Sequence, residues 1–359
     1  MWPYWLMFLL PATAAVLSAE QRNFAGRWTD SGQSRWGMGW WAVAFVATLL
    51  VGYRVQVGGD WQSYIGYLDR VRGATLGEVL AMPDPGYLLL NWLVQESGGG
   101  IVWVNLISGA LFASGLVSFC RHLPRPWLAL AVAVPYLGIV LGMGYSRQGI
   151  ALGLAMLGLV ALQRESTLKF AVWVLLGATF HKTAILLLPI AALASTRSRY
   201  WTATWVGMVT LLAYGLFLED SVETLVAGYI EAQYQSEGAL VRLLMNALPA
   251  TLLLLRWKRF QFAQAEGALW RWVALVSLGL LVVLFVSPSS TAVDRVALYM
   301  LPLQLVVFSR LPEVLGRRGL NNRGWAALVV AYYAAVLFVW LNYSTHAQYW
   351  LPYRFYPFE

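Results

Sequence analysis

Residues 127–163 read WLALAVAVPYLGIVLGMGYSRQGIALGLAMLGLVALQ: two apolar runs that meet at Tyr145, Ser146, Arg147 and Gln148. An α-helix rises ~1.5 Å per residue and bilayer hydrocarbon is ~30 Å thick, so each run is close to the length of a membrane span. An arginine at that depth costs roughly 2.5–3.5 kcal/mol on insertion scales, and such a residue is read first as functional. A second break has the same form. His181-Lys182 divides the apolar runs 168–180 and 183–195.

Working outward, the 359 residues are 59% hydrophobic and only 12% charged, too apolar for a soluble domain. The expected fold is all-α, a polytopic helical bundle in which residues 1–359 form one transmembrane domain. Apolar stretches fall near 2–19, 37–53, 101–119, 127–143, 146–163, 168–180, 183–195, 200–218, 240–256, 268–287, 292–309 and 324–343. That makes about twelve crossings, with the pair around 181–182 short or broken. The run 86–97 is shorter and reads as a re-entrant or interfacial helix. Met1 to Ala19 resembles a signal peptide, but it lacks a basic n-region and is followed by Arg22, Arg27 and Arg35, so it is read as a retained span. Trp and Tyr number 19 and 18, as suits rings that settle at membrane interfaces. The single Cys120 excludes an internal disulfide.

The net charge of +8 would suggest nucleic acid in a soluble chain; here it is read as cytoplasmic-loop bias, with no nucleic-acid partner. With the N-terminus outside and 86–97 not crossing, 17 of the 25 Lys and Arg fall in inner loops. Of the acidic residues, only Glu20, Asp30, Glu165, Glu266 and Glu313 join them. Both termini are then expected outside. Two outer segments exceed simple turns: 54–97, holding the short helix, and the acidic 219–239, read as a solvated loop or a lid.

This threading sends the polar interruptions to the outer face: Arg54, Asp60, Asp84, Tyr87, Arg147-Gln148, His181-Lys182, Arg242, Asp294-Arg295 and Arg354. Arg147 follows a Gly-Met-Gly-Tyr-Ser turn at a helix start, where backbone N–H groups favour anions and a planar guanidinium grips phosphate through two donors. The alternative is an arginine snorkelling to the interface. His181 can exchange a proton near neutral pH and Lys182 can hold phosphate as a point charge. The alternative is a polar pair ending two short spans. Asp294-Arg295 and Arg242 read equally as anion ligands or as mutually satisfied caps and anchors. Gly58-Gly59-Asp60 with Trp61 and Tyr64 could set a carboxylate and aromatic faces beside a sugar, or Asp60 could cap a helix over 61–72. The chain has no Asp-x-Asp, no His-Glu-x-x-His, no nucleotide-binding glycine pattern and no Cys/His cluster. A metal-dependent nucleotide-sugar enzyme is therefore disfavoured, and no metal or cofactor is expected.

Taken in order, Gly58-Gly59-Asp60-Trp61-x-x-Tyr64, Asp84-Pro85-Gly86-Tyr87, Ser146-Arg147-Gln148-x-x-Ala151 and His181-Lys182-Thr183-Ala184-Ile185 with Leu187-Leu188-Pro189 resemble the EpsG-like family. This family comprises bacterial exopolysaccharide polymerases of the broader Wzy-type group. The Arg242 span and Leu351-Pro352-Tyr353-Arg354-Phe355-Tyr356-Pro357 fit the same pattern, which runs from about residue 53 to 356. Asp84 stands where Glu would be expected. The resemblance implies a GT-C-like bundle in the bacterial inner membrane. It would join undecaprenyl-diphosphate-linked oligosaccharides at the periplasmic face, with the lipid bilayer and a chain-length-regulating co-polymerase as partners.

The mechanism expected from these residues is a metal-independent glycosyl transfer. Arg147, Lys182, Arg242 and Arg295 would hold the donor diphosphate. His181, favoured over Asp60 for its ordinary pKa, would take the acceptor proton. Gln148, Trp61, Tyr64 and Tyr87 would contact sugars. Within enzymes the rivals are a glycan ligase and a membrane acyltransferase; outside them, a transporter or flippase of lipid-linked glycan, which the broken spans near 168–195 would suit.

Overall fold

A computed structural model of the chain describes residues 1–18, 36–164, 166–190, 199–217, 236, 238–317 and 321–359. Its longer helices are α1 (Trp2–Leu17), α2 (Met38–Gly52), α3 (Trp61–Arg70), α4 (Leu76–Ala81), α5 (Pro85–Glu96), α6 (Ile101–Arg121), α7 (Pro126–Gly144) and α8 (Ser146–Gln163). There follow α9 (Thr167–Phe180), α10 (Arg199–Phe217), α11 (Ala239–Leu255), α12 (Gln264–Val286), α13 (Ser290–Ala297), α14 (Pro302–Leu315) and α15 (Arg323–Tyr343). Prolines open α5, α7 and α14, where the missing N–H would have no helical acceptor anyway. In α7, Pro135 cannot donate within the helix, and Val134–Leu141 widens into a π-helical turn.

The core forms around α7 and α8. α8 packs on α6 and α9, and α7 is covered by α1, α14 and α15. α6 and α8 meet so closely at Gly115 and Gly153 that a Cβ on Gly115 would collide with the Gly153 carbonyl. Small residues let membrane helices approach backbone to backbone in this way. By contrast, α12 and α15 turn most of their apolar surface outward.

The loops gather at two ends of the bundle. At one end, Tyr4 at the start of α1 donates to the Trp350 carbonyl, and Arg54 after α2 reaches Asn105 near the start of α6 and Ser146 at the start of α8. At the opposite end, Arg164 after α8 meets His122 after α6, and Arg125 before α7 pairs with Glu313 late in α14. Arg310 pairs with Glu266 at the start of α12, and Arg323 opening α15 donates to Leu17 ending α1. α6 and α8 are thus parallel, as the threading requires. The loops in these contacts divide between the ends as the charge bias expects.

The span lengths differ from expectation. Among the described residues, four helices are long and apolar enough to cross a membrane, α6, α7, α12 and α15, or up to five if the pair bent by 46° at residue 301 is one span. Five further apolar helices are shorter, including α1, α2, α9 and α11. The expected continuous span 292–309 is this bent pair, broken where Pro302 starts a new helix. The expected span 183–195 begins instead as a 3-10 turn, Lys182–Leu187. The run 86–97 is helix α5, as expected. Most of the acidic segment 219–239, together with Arg22, Arg27 and Arg35, lies outside the described residues.

Candidate functional site

The residues singled out in sequence come together at the end of the bundle that holds Arg54. Asp84 sits at the cap position of α5 with φ 55°, a left-handed conformation that Asp adopts more readily than most residues. Its carboxylate accepts from Arg147 Nη1 at 2.7 Å through Oδ2 and from the Lys182 backbone N–H at 3.3 Å through Oδ1. One side chain thereby ties α5, the start of α8 and the break after α9. Gly86 allows this approach, because a Cβ there would run into Thr179 at the end of α9. The Arg147 guanidinium carbon lies over the Tyr67 ring, 4.6 Å from its centroid. Its Nη2 makes no protein hydrogen bond among the described residues, and its buried Nε has no partner.

Arg295 opens a second link. Its Nη1 donates to Gln148 Oε1 at 3.1 Å, and Gln148 Nε2 returns a bond to the Arg295 carbonyl at 2.9 Å. The guanidinium also lies 5.0 Å from the Tyr145 ring centroid. Arg242 is satisfied differently, gripping Asp294 through Nε and Nη2, each at 2.7 Å. That is the self-satisfied reading of the pair, and Ser236 bonds both partners. Arg54 is 1% exposed, and its donors are spent on the Val51 and Val57 carbonyls, Asn105 and Ser146. It pins the Gly58-Gly59-Asp60 segment to α6 and α8, where a charged side chain can hold several neutral acceptors at once. Arg354 bonds Gln56 on the same segment.

Asp60 precedes α3 but does not cap it. Its φ of −91° and ψ of 13° lie away from the extended geometry of a capping residue, and its carboxylate makes no cap bond. The carboxylate makes no hydrogen bond or ion pair among the described residues, while the Asp60 carbonyl accepts from the Tyr64 N–H at 3.1 Å. Burial raises its carboxyl above the ordinary carboxylate value, against the opposing pull of Arg295 and Arg147. Gly58, at φ 108° and packed against the Met143 carbonyl, sets this turn. Trp61, Tyr64 and Tyr87 are buried, and Tyr64, Tyr67 and Tyr87 pack ring on ring. They hold α3 on α5 and present little face to solvent.

His181 Nδ1 lies 3.0 Å from Thr183 Oγ1, which in turn donates to the Tyr299 hydroxyl at 3.3 Å. Burial and the charges of Arg147, Arg295 and Lys182 hold the imidazole well below its usual pKa. The expectation that His181 takes a proton meets a physical obstacle here, since three cations oppose the imidazolium that would form. The Lys182 ammonium makes no hydrogen bond or ion pair among the described residues. Five cations, Arg54, Arg147, Lys182, Arg242 and Arg295, thus gather with three carboxylates, Asp60, Asp84 and Asp294. Among the described residues, Arg147 and Arg242 are the two of the five with a carboxylate partner.

The model of the EpsG family matches residues 40–355. The chain belongs to the EpsG family. Searches of curated proteins and of solved structures gave no match. EpsG membership implies a polysaccharide-polymerase role for this helical membrane protein, and the matched region contains Asp60, Asp84, Arg147, His181 and Lys182. Sequence reasoning missed Tyr67, whose signal was its place one helical turn beyond Tyr64 on α3. It also missed Asn105 and Ser146, which carry no local signal for their long-range bonds to Arg54.

Proposed function

We propose that this EpsG-family chain is a metal-independent glycosyltransferase. It joins undecaprenyl-diphosphate-linked oligosaccharides at the end of the bundle holding Arg147, turned to the periplasmic side of the bacterial inner membrane. The observation that carries the reading is an excess of cations around Asp60, whose carboxylate makes no hydrogen bond among the described residues. A leaving diphosphate needs positive charge in place before the bond breaks, and preorganised donors in a partly dry site supply it at low reorganisation cost. Lys182, Arg295 and the unused Nη2 of Arg147 are the groups with capacity to spare. The acceptor hydroxyl oxygen bonds to the anomeric carbon, the bond from that carbon to the diphosphate oxygen breaks, and the hydroxyl proton passes to Asp60. Asp60 replaces His181 as the favoured base because nearby guanidinium groups stabilise a carboxylate and oppose an imidazolium.

A transporter is the second reading, favoured by the helix breaks at 181–182 and 301. Deleting the gene separates the two. Loss of the polymerase leaves single lipid-linked units reachable from the periplasm by a membrane-impermeant probe. Loss of a transporter leaves them out of reach.

A further inference from the structure

Beyond α15 the chain folds back as a strap over the segment 53–59. The Gly58 N–H donates to the Tyr349 carbonyl at 2.8 Å, the Val55 N–H to Arg354 at 3.1 Å, and the Tyr356 N–H to Tyr53 at 2.8 Å. Three side-chain bonds pin it from below. Trp350 Nε1 reaches the Ile139 carbonyl at 3.0 Å, the Tyr353 hydroxyl reaches Leu50 at 2.6 Å, and the Tyr4 hydroxyl reaches the Trp350 carbonyl at 2.5 Å. With Trp350 anchored inward, other rings are left outward: Tyr349 is 50% exposed, Tyr356 53% and Phe358 88%. Tyr53, Tyr356, Phe355 and Phe358 form one connected set, with Tyr53 against Tyr356 at 6.2 Å and Phe355 at 5.9 Å, and Phe355 against Phe358 at 5.6 Å, while Tyr349 stands apart against His346 at 6.3 Å. The Tyr349 ring lies 3.9 Å from where a Gly59 Cβ would stand, next to Asp60.

We propose that this strap is a glycan-holding subsite, with Tyr349 and Tyr356 as stacking platforms for the sugar chain that extends away from Asp60. The inference rests on the polymerase reading. Tyrosines offer an apolar face and a hydroxyl, which suits a ring that is apolar on its faces and polar at its rim. Rings fixed in place by a pinned backbone lose little entropy when a sugar stacks on them. The polar edge formed by Arg354 and Gln56, and the direct contact between Tyr349 and the Asp60 turn, favour a glycan over lipid as the occupant. Exposed apolar patches of this kind mark interaction sites.

The test compares Tyr349→Ala/Tyr356→Ala with Tyr349→Phe/Tyr356→Phe in nanodiscs supplied with lipid-linked repeat units. Product length is read on a gel. Binding of the polymer, freed from lipid by mild acid, is read by saturation-transfer NMR. The Ala pair is expected to shorten the products several-fold and to lose the NMR signal, and the Phe pair to restore most of both. Unchanged lengths and unchanged binding in the Ala pair would overturn the subsite. So would a lowered Tm in nanodiscs with normal product lengths, which would place the rings among lipid headgroups. If the wild-type protein makes no polymer, the polymerase reading fails; if it makes polymer and the Ala pair behaves identically, only the subsite fails.

Discussion

Arg147 Nη1 and Asp84 Oδ2 stand 2.7 Å apart, with the Asp84 side chain 9% exposed and Arg147 29% exposed. Because Asp84 also accepts the Lys182 N–H, it fixes the relative position of the two cations that the mechanism uses most. Asp84→Ala is expected to cost about 1–3 kcal/mol of stability, less than a fully buried pair because Arg147 keeps some solvent. Activity should fall further than stability. Asp84→Glu should restore part of the elongation rate, measured as repeat units added per minute. An Asp84→Ala protein with a full rate would exclude the clamp.

Arg147→Lys keeps the charge but removes the planar guanidinium that lies over the Tyr67 ring. A fall of about tenfold or more in kcat/KM for the lipid-linked donor is expected, equivalent to ~1.4 kcal/mol of transition-state stabilisation. A near-normal value would mean that a point charge suffices there.

Asp60 gives a pH dependence of known sign. Its carboxyl is held above the ordinary value by burial, so elongation should fall as pH drops through that raised pKa, and Asp60→Asn should abolish elongation. The same shift means that the folded chain binds the proton more tightly than the unfolded chain. Stability therefore falls as pH rises from the ordinary carboxylate value through the raised one. Asp60→Asn should accordingly be inactive yet more heat-stable at neutral pH. A variant that is both inactive and less stable would point to a structural carboxylate instead.

His181 has the opposite signature. Its imidazole is held neutral, so below its ordinary pKa near 6.5 the unfolded chain takes up a proton that the folded chain refuses, and stability declines as pH falls. His181→Gln should flatten this decline in thermal melts between roughly pH 6.5 and 5. It should leave part of the activity. Complete loss with an intact fold would return the base to His181.

The Arg242–Asp294 grip is argued as structural. Arg242→Ala strands a buried carboxylate and should destabilise the protein by about 3–5 kcal/mol, while Arg242→Met/Asp294→Leu should recover much of that loss. Thermal unfolding in detergent compares the two.

That the interruptions at Asp60, Asp84, Arg147 and Lys182 share one end of the bundle was legible in the sequence because it rests on counts: basic residues cluster in alternate loops, and these residues fall in the others. Hydropathy also marks α6, α7, α12 and α15 without tertiary information. The partner of each polar group was not legible. Whether Arg54 faces a substrate or bonds Ser146, 92 residues away, depends on how helices pack, and no local period encodes it. Asp60 shows the same limit from the other side. A residue placed to cap α3 turns away from it because its backbone is held by Gly58 against Met143. Helix continuity was overread at Pro302, which breaks the apolar run 292–309, whereas Pro135 only widens α7 locally.

The central claim is tested most directly by purified protein in nanodiscs given undecaprenyl-diphosphate-linked repeat units, without nucleotide or added metal. The account predicts a ladder of glycan lengths from the wild type and none from Asp60→Asn or Arg147→Ala of equal thermal stability. Well-folded wild-type protein that makes no ladder, but moves the lipid-linked unit across a liposome bilayer, would contradict it.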